Sequence, residues 1–252
     1  PGRAMILPSA DILVGLALIT FTAYAVYGLT GFGNVAIALP LMLIFMPLHT
    51  AIPIAMLHGL FGGSTVGIAK RRHADFGELR ILAPFVVIGL ILGTSILVYV
   101  PEKYLLYLLG IFLVCYSCWS LLSPSVNKQI ARGWAAPIGI IGGIFSATFG
   151  TGGVLFIVFL AGRIRDKETL RATSNLIIFA ATVARLLLLL STGFLTRDHV
   201  LLLTGLLLPF VILGLYAGNH LHSRVPLQRI LQVIWLILIV AGINVIRQGL
   251  MR

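Results

Sequence analysis

Two stretches of this chain could do chemistry with little more than backbone. "TGFGNV" at 30–35 and "FGTGGV" at 149–154 set Gly31, Phe32, Gly33, Asn34 and Gly150, Thr151, Gly152, Gly153 among long apolar runs. A glycine cluster can cradle phosphate, let two helices approach closely, or break a helix so that its backbone binds a ligand. The first use needs a preceding strand or a Gly-Lys-Ser/Thr sequence, and neither occurs. The second is served by small residues spaced along a membrane helix. The third exposes the first N–H groups of a new helix and the positive end of its dipole, both of which favour an anion.

Other polar residues point the same way. Arg185, in "TVARLLLLL", lies inside an apolar run, where a bilayer-buried cation costs about 3 kcal/mol on insertion scales. It therefore faces a cavity or a partner, or it hydrogen-bonds carbonyls freed by a broken helix. Guanidinium also suits bidentate binding of oxyanions. "ATSN" at 172–175 opens the same run, and Ser174 and Asn175 offer hydroxyl and amide donors; the other reading is a helix start whose Ser or Thr caps the first turn. His58, in "AMLHGLFGG", is the one histidine well inside a run. It is either a proton relay or a packed neutral imidazole. Shifted by one repeat it comes near Phe179, toward the level of Arg185.

The seven carboxylates, Asp11, Asp75, Glu78, Glu102, Asp166, Glu168 and Asp198, all fall near segment ends or in loops. Cation carriers and proton pumps keep a carboxylate within the membrane, so a cationic substrate is disfavoured. Cys115 and Cys118, in "VCYSCW", share a helix face, but zinc needs four ligands and no His or second Cys pair is near. Two thiols packed in the core are expected, with no metal and no cofactor.

The elements that must position these residues follow from composition. Of 252 residues, 59% are hydrophobic and 10% charged, and mean hydropathy is +1.08. A soluble domain carries about 25% charged residues, so this chain has too little polar surface to cover a globule in water. Apolar runs near 20 residues recur throughout, as bilayer-spanning helices require. The net charge of +11 sits in short loops, which indicates topology rather than nucleic-acid binding. No cleavable leader is expected.

Ten segments emerge, at 10–27, 32–48, 51–69, 79–99, 103–122, 133–149, 152–162, 170–193, 199–221 and 227–247. With the N-terminus outside, twelve cations fall on inner loops: Lys70, Arg71, Arg72, Arg80, Lys128, Arg132, Arg163, Arg165, Lys167, Arg171, Arg224 and Arg229. Arg3, Lys103, Arg197, Arg247 and Arg252 fall outside, so both termini are predicted to face outward.

A repeat is legible. "PFVVIGLILG" at 84–93 matches "PFVILGLYAG" at 209–218 at a shift of 125, which also sets "VP" at 100–101 on "VP" at 225–226. "TGFGNVAIALP" at 30–40 resembles "FGTGGVLFIVF" at 149–159 at a shift of 119. The fold predicted is all-α and membrane-integral, with about ten transmembrane or half-spanning helices in two inverted five-helix repeats, 1–125 and 126–252. An odd number of segments per half forces the second copy to enter from the opposite side. The segment from Gly152 to Gly162 spans about 16 Å, half of the ~30 Å hydrocarbon core. The glycine cluster is thus expected at the tip of a broken or re-entrant hairpin, with 10–48 as its counterpart from the other face.

Duplicated G-x-G-G-like segments before apolar runs, "ATSN" at the start of the following helix, and the "PFVVIGLILG…VP" repeat resemble the TauE/SafE family of sulfite exporters. The resemblance covers nearly the whole chain. It implies a cytoplasmic-membrane carrier, with no enzymatic activity, for sulfite, sulfonates or related sulfur anions. Gly150, Gly152 and Gly153 match the second copy of the motif, and Gly31 and Gly33 match the first. Asn34 and Val35 depart from it, exchanging backbone freedom for an amide donor.

The expected function is a secondary transporter, working outward, whose two helix starts bind one anion while Arg185 supplies charge. Alternating access would come from one five-segment half rocking against the other, with coupling through His58 or through a proton on the substrate. The alternatives are an anion channel, a carrier of another oxyanion or a carboxylate, and a membrane enzyme or scaffold. An enzyme would need a nucleophile–base pair or metal cluster at membrane depth, and Ser146, Thr148 and Thr151 lack a nearby acid or second histidine. Partners expected are the bilayer and a small inorganic or organic anion. Nucleic acid is not expected, and self-association into a homo-oligomer stays open.

Overall fold

The computed structural model describes residues 9–31, 33–63, 71–122, 129–190, 200–221 and 227–251. Phe32 and the loop residues Lys70, Lys128, Arg197, Asp198 and Arg224 lie outside them. Among the described residues there are ten α-helices and no strand. They are α1 (Ala10–Thr30), α2 (Asn34–Met42), α3 (Leu48–Gly63), α4 (Phe76–Tyr99), α5 (Glu102–Leu122), α6 (Ala135–Phe149), α7 (Gly153–Ala161), α8 (Lys167–Leu190), α9 (Val200–Leu221) and α10 (Leu227–Met251). Each corresponds to one expected segment. The largest correction is in the second: its helix ends at Met42, and turn bonds such as Phe45 N–H to Met42 C=O at 2.9 Å carry the chain to Pro47. The residue before a proline disfavours helical backbone, so the apolar composition of 43–46 outlasts the helix.

The correction makes the short elements equal. α2 and α7 each have nine residues, about 14 Å of helix, less than half of a bilayer core. Each follows a helix ended by a left-handed glycine. Gly31 (φ 84°) closes α1, its N–H bonding Tyr27 C=O, and Gly150 (φ 76°) closes α6, its N–H bonding Phe145 and Ser146 C=O. A side chain with a Cβ is strained in that conformation.

The three largest helix interfaces run between the halves: α4 lies on α6, α9 on α1, and α5 on α10. The repeated "G-x-x-x-G" of the sequence explains the first two. A Cβ on Gly89 would fall 2.2 Å from Ile140 O, and one on Gly93 would fall 2.6 Å from Ile144 O. A Cβ on Gly214 would fall 2.5 Å from Phe21 O, and one on Gly218 would fall 2.0 Å from Ala25 O. Subtracting 125 from the glycines and adding 119 to their partners turns the second pair of contacts into the first. The packing is consistent with two halves exchanged about a two-fold. Small residues here let backbones touch where lipid supplies no hydrophobic drive between helices.

Buried side chains form two clusters. One joins α1, α2, α3, α5, α9 and α10 with the far ends of α4, α6 and α8, through Leu16, Tyr24, Leu39, Leu109, Phe149 and Leu189. The other joins the near parts of α4 and α6 with α7 and α8, through Leu82, Val86, Phe156, Phe159 and Ile177. The perimeter is apolar too: Val14, Leu18, Ile91, Leu206 and Val240 are exposed. Among the described residues six helices, α1, α4, α5, α8, α9 and α10, are long and apolar enough to cross a membrane. Cys115 is exposed and Cys118 half-buried, both as free thiols. Core packing for Cys115 is therefore corrected: α5 buries Leu105, Leu109, Leu113 and Ser117, a stripe that leaves position 115 on the outer side.

The α7–α8 loop is clamped to the start of α4. Arg163 Nη2 donates to Glu78 Oε1 at 2.7 Å, its Nε donates to Glu78 Oε2, and its Nη1 donates to Ile130 C=O at 3.0 Å. The bonds to Glu78 raise the Arg163 pKa further above its ordinary value, so the cation stays charged. Glu78→Gln is expected to lower thermal stability in detergent by about 2 kcal/mol, the scale of charge-assisted hydrogen bonds. Adding Arg163→Gln should cost much less than the sum of the two, which a double-mutant cycle of unfolding midpoints measures.

Candidate substrate site at the helix breaks

α8 supplies the side chains. It is capped by Asp166, just before its first residue, whose Oδ2 accepts the Thr169 N–H at 2.8 Å, and the Thr169 bonds hold the Asp166 carboxyl below its ordinary pKa. "ATSN" therefore lies in the second turn, and the capping role considered for it belongs to Asp166. Arg171, Asn175, Thr182 and Arg185 recur at helical spacing along one face.

Arg185 is 2% exposed. Its Nη2 donates to Thr148 C=O at a long 3.4 Å, its Nε has no partner, and it forms no ion pair among the described residues. The carbonyl-binding role considered from sequence is thus met by one weak bond, at the end of α6. A Cβ on Gly150 would fall 2.8 Å from Arg185 Nη1 and 2.9 Å from Val35 Cγ1. The guanidinium rests on the left-handed glycine of the second break, and the first turn of α2 closes on the same glycine. The two breaks meet there. A buried cation with idle donors is costly unless something anionic or polar reaches it.

The remaining residues divide. Thr151 is buried and its hydroxyl has no partner among the described residues. The backbone at Gly152 presses on α6, since a Cβ would lie 1.9 Å from Gly142 O, and Gly153 packs on Ile178 of α8. The amides of both make no hydrogen bond among the described residues, so the start of α7 keeps free donors. Gly33 has nothing within 4 Å of a Cβ position and serves its φ of 87°. Asn34 Nδ2 is committed to Tyr24 Oη at 3.0 Å. Asn175 accepts from Tyr27 Oη at 3.0 Å and donates to Arg171 C=O at 2.7 Å. The buried Ser174 hydroxyl has no partner. Phe32 is outside the described residues.

His58 is fully buried. Its Nε2 lies 3.0 Å from Thr204 C=O; a carbonyl only accepts, so Nε2 carries the hydrogen. Nδ1 has no partner. The ring stands edge-on to Tyr24, centroids 6.2 Å apart, which links it to Asn34 at the first break. Phe179, its counterpart by repeat counting, packs on Gly63 of the same helix as His58.

Arg171 was counted from sequence as a loop cation only. A Cβ on Gly31 would fall 2.9 Å from its Nε and 3.3 Å from Asn175 Nδ2. The signal was its four-residue spacing from Asn175 on the Arg185 face.

The family model described as "Sulfite exporter TauE/SafE" matches residues 16–245. The "Probable inner membrane transporter protein TsaS" of Comamonas testosteroni is 23% identical over 195 residues, covering 77% of this chain and 78% of that protein. No solved structure matches. The matched span takes in both helix breaks, all of α8 and most of each helix in the three interfaces between halves, and the chain belongs to the TauE/SafE family of membrane transporters.

Proposed function

We propose that the chain is a secondary transporter that moves a small sulfur oxyanion, sulfite or a sulfonate, outward across the cytoplasmic membrane. The observation that carries this reading is Arg185: a buried cation without a counter-ion among the described residues, set where two broken helices meet. The anion would lie against its idle N–H groups, the Thr151 hydroxyl and the free amides of Gly152 and Gly153 at the start of α7. The first turn of α2 covers the site. The family's description supports the anion class, and the relative's name supports the membrane; loop cations support termini that face outward.

Packing supports a division of moving parts different from residues 1–125 against 126–252. Backbone-to-backbone contacts tie α4 to α6 and α1 to α9 across the halves, so those pairs move together. The seam runs where α1 and α2, in the first cluster, face the body of α8, in the second; the ends of α4, α6 and α8 reach across it into the first cluster. Arg185 and Gly150 face Val35 across it, so sliding at the seam opens the site to one side or the other. His58 supplies proton coupling through its free Nδ1.

The test is flux in proteoliposomes with sulfite, sulfate, thiosulfate, a sulfonate and acetate. Counterflow of labelled sulfite is expected, with sulfite or the sulfonate competing best. Downhill flux without counterflow would make the protein a channel, and preference for acetate would make it a carboxylate carrier. An imposed proton gradient should drive accumulation in the parent and not in His58→Gln, whose amide still donates to Thr204 C=O. Equal accumulation by both would remove His58 from the coupling.

A further inference from the structure

The first break carries its own arginine, which the function so far leaves idle. Among the described residues Arg171 Nε is buried without a partner, and its Nη2 makes only a 3.4 Å contact with Gly28 C=O. It forms no ion pair among the described residues. A cation that serves topology alone reaches out to water; this one turns its Nε inward, to within 2.9 Å of where a Cβ on left-handed Gly31 would lie. Asn175 is held beside it by Tyr27 Oη, and the buried Ser174 hydroxyl in the same turn is unpartnered. The arrangement repeats that at the second break, where Arg185 lies on left-handed Gly150. Each broken helix ends on a glycine without which an α8 guanidinium would be covered.

We propose that Arg171, Asn175 and the Gly31 turn form a second oxyanion subsite, at which the substrate is held before or after it occupies the Arg185 site. Fourteen residues separate the two arginines, about 21 Å along the α8 axis. One small anion cannot touch both, so the chain holds two subsites in series along one helix face. In the outward-termini topology the Arg171 subsite lies toward the cytoplasm and receives the anion first. Both subsites line the seam between the packed clusters, so closure at one end accompanies opening at the other. The inference rests on the transport reading above.

Binding of labelled sulfite to the purified full chain in nanodiscs tests it. The parent is expected to bind two sulfite ions, and Arg171→Gln and Arg185→Gln one each. In proteoliposomes Arg171→Gln should raise the half-saturating sulfite concentration at least about ten-fold on the Arg171 side, and Arg171→Lys should recover part of the loss. Asn175→Asp, nearly isosteric, sets a carboxylate beside Arg171 and should also remove one site; it serves if Arg171→Gln does not fold. Two sites and unchanged half-saturation in a folded Arg171→Gln or Asn175→Asp overturn the subsite and leave the transport reading standing. No sulfite bound by the parent overturns both.

Discussion

Arg185→Gln is expected to abolish transport while leaving the protein at least as stable as the parent. The two halves of that result have one cause. In the resting structure the guanidinium has a single long bond among the described residues, to Thr148 C=O, so its burial is a cost that few contacts offset. Glutamine removes the charge and keeps one amide donor for the same carbonyl. The bound anion, by contrast, loses charge-assisted hydrogen bonds worth about 1.5–3 kcal/mol each. Losing two of them corresponds to about 100-fold or more in affinity. Sulfite counterflow and the unfolding midpoint in detergent, measured on one preparation, check both halves. Arg185→Lys should recover little, because an ammonium cannot present the planar fork. Parental flux in a folded Arg185→Gln would make Arg185 a structural residue and end the proposed site.

Gly93→Ala and Gly218→Ala are expected to be severely and similarly destabilising, although each adds one methyl group to a helix. The added carbon would meet Ile144 O at 2.6 Å in the first case and Ala25 O at 2.0 Å in the second. Backbone atoms of a packed helix cannot swing away as a side-chain tip does, so the helices must separate along their length. Overpacking of this kind costs about 1–3 kcal/mol, occasionally more. Gly205→Ala on α9 is the control, since nothing lies within 4 Å of its Cβ position; it should be neutral or mildly stabilising. Thermal size-exclusion profiles in detergent compare the three. Tolerance of Gly93→Ala equal to that of Gly205→Ala would contradict close approach of α4 and α6.

Much of this molecule was legible in one dimension. Apolar run length located all ten helices, because a bilayer forces each polar backbone group to be satisfied within its own segment. The glycine stretches marked the breaks at Gly31 and Gly150, since left-handed caps favour glycine. Arg185 stood out because a cation within an apolar run is expensive. The same rules misread 43–46, where composition stayed apolar after the helix had stopped, and Cys115, where helix register rather than residue type decides what is buried.

Chain order could not say what each glycine touches. Gly152 and Gly153 look alike in "FGTGGV", yet one presses on the α6 backbone and the other on Ile178 of α8. Nor could it pair the halves. The repeat is plain at a shift of 125 residues, but that its glycines bind the opposite half follows from which helix surfaces are complementary, and complementarity belongs to pairs. Arg171 shows the limit most directly: beside Lys167 it reads as topology, and only the approach of α1 brings Gly31 against its Nε. By itself the sequence determined the membrane class, the helices, their breaks and one buried charge, because these depend on local burial and backbone geometry. Tertiary structure alone decided which helices pack together and which arginine each break receives, because those are contacts between residues 35 to 193 positions apart.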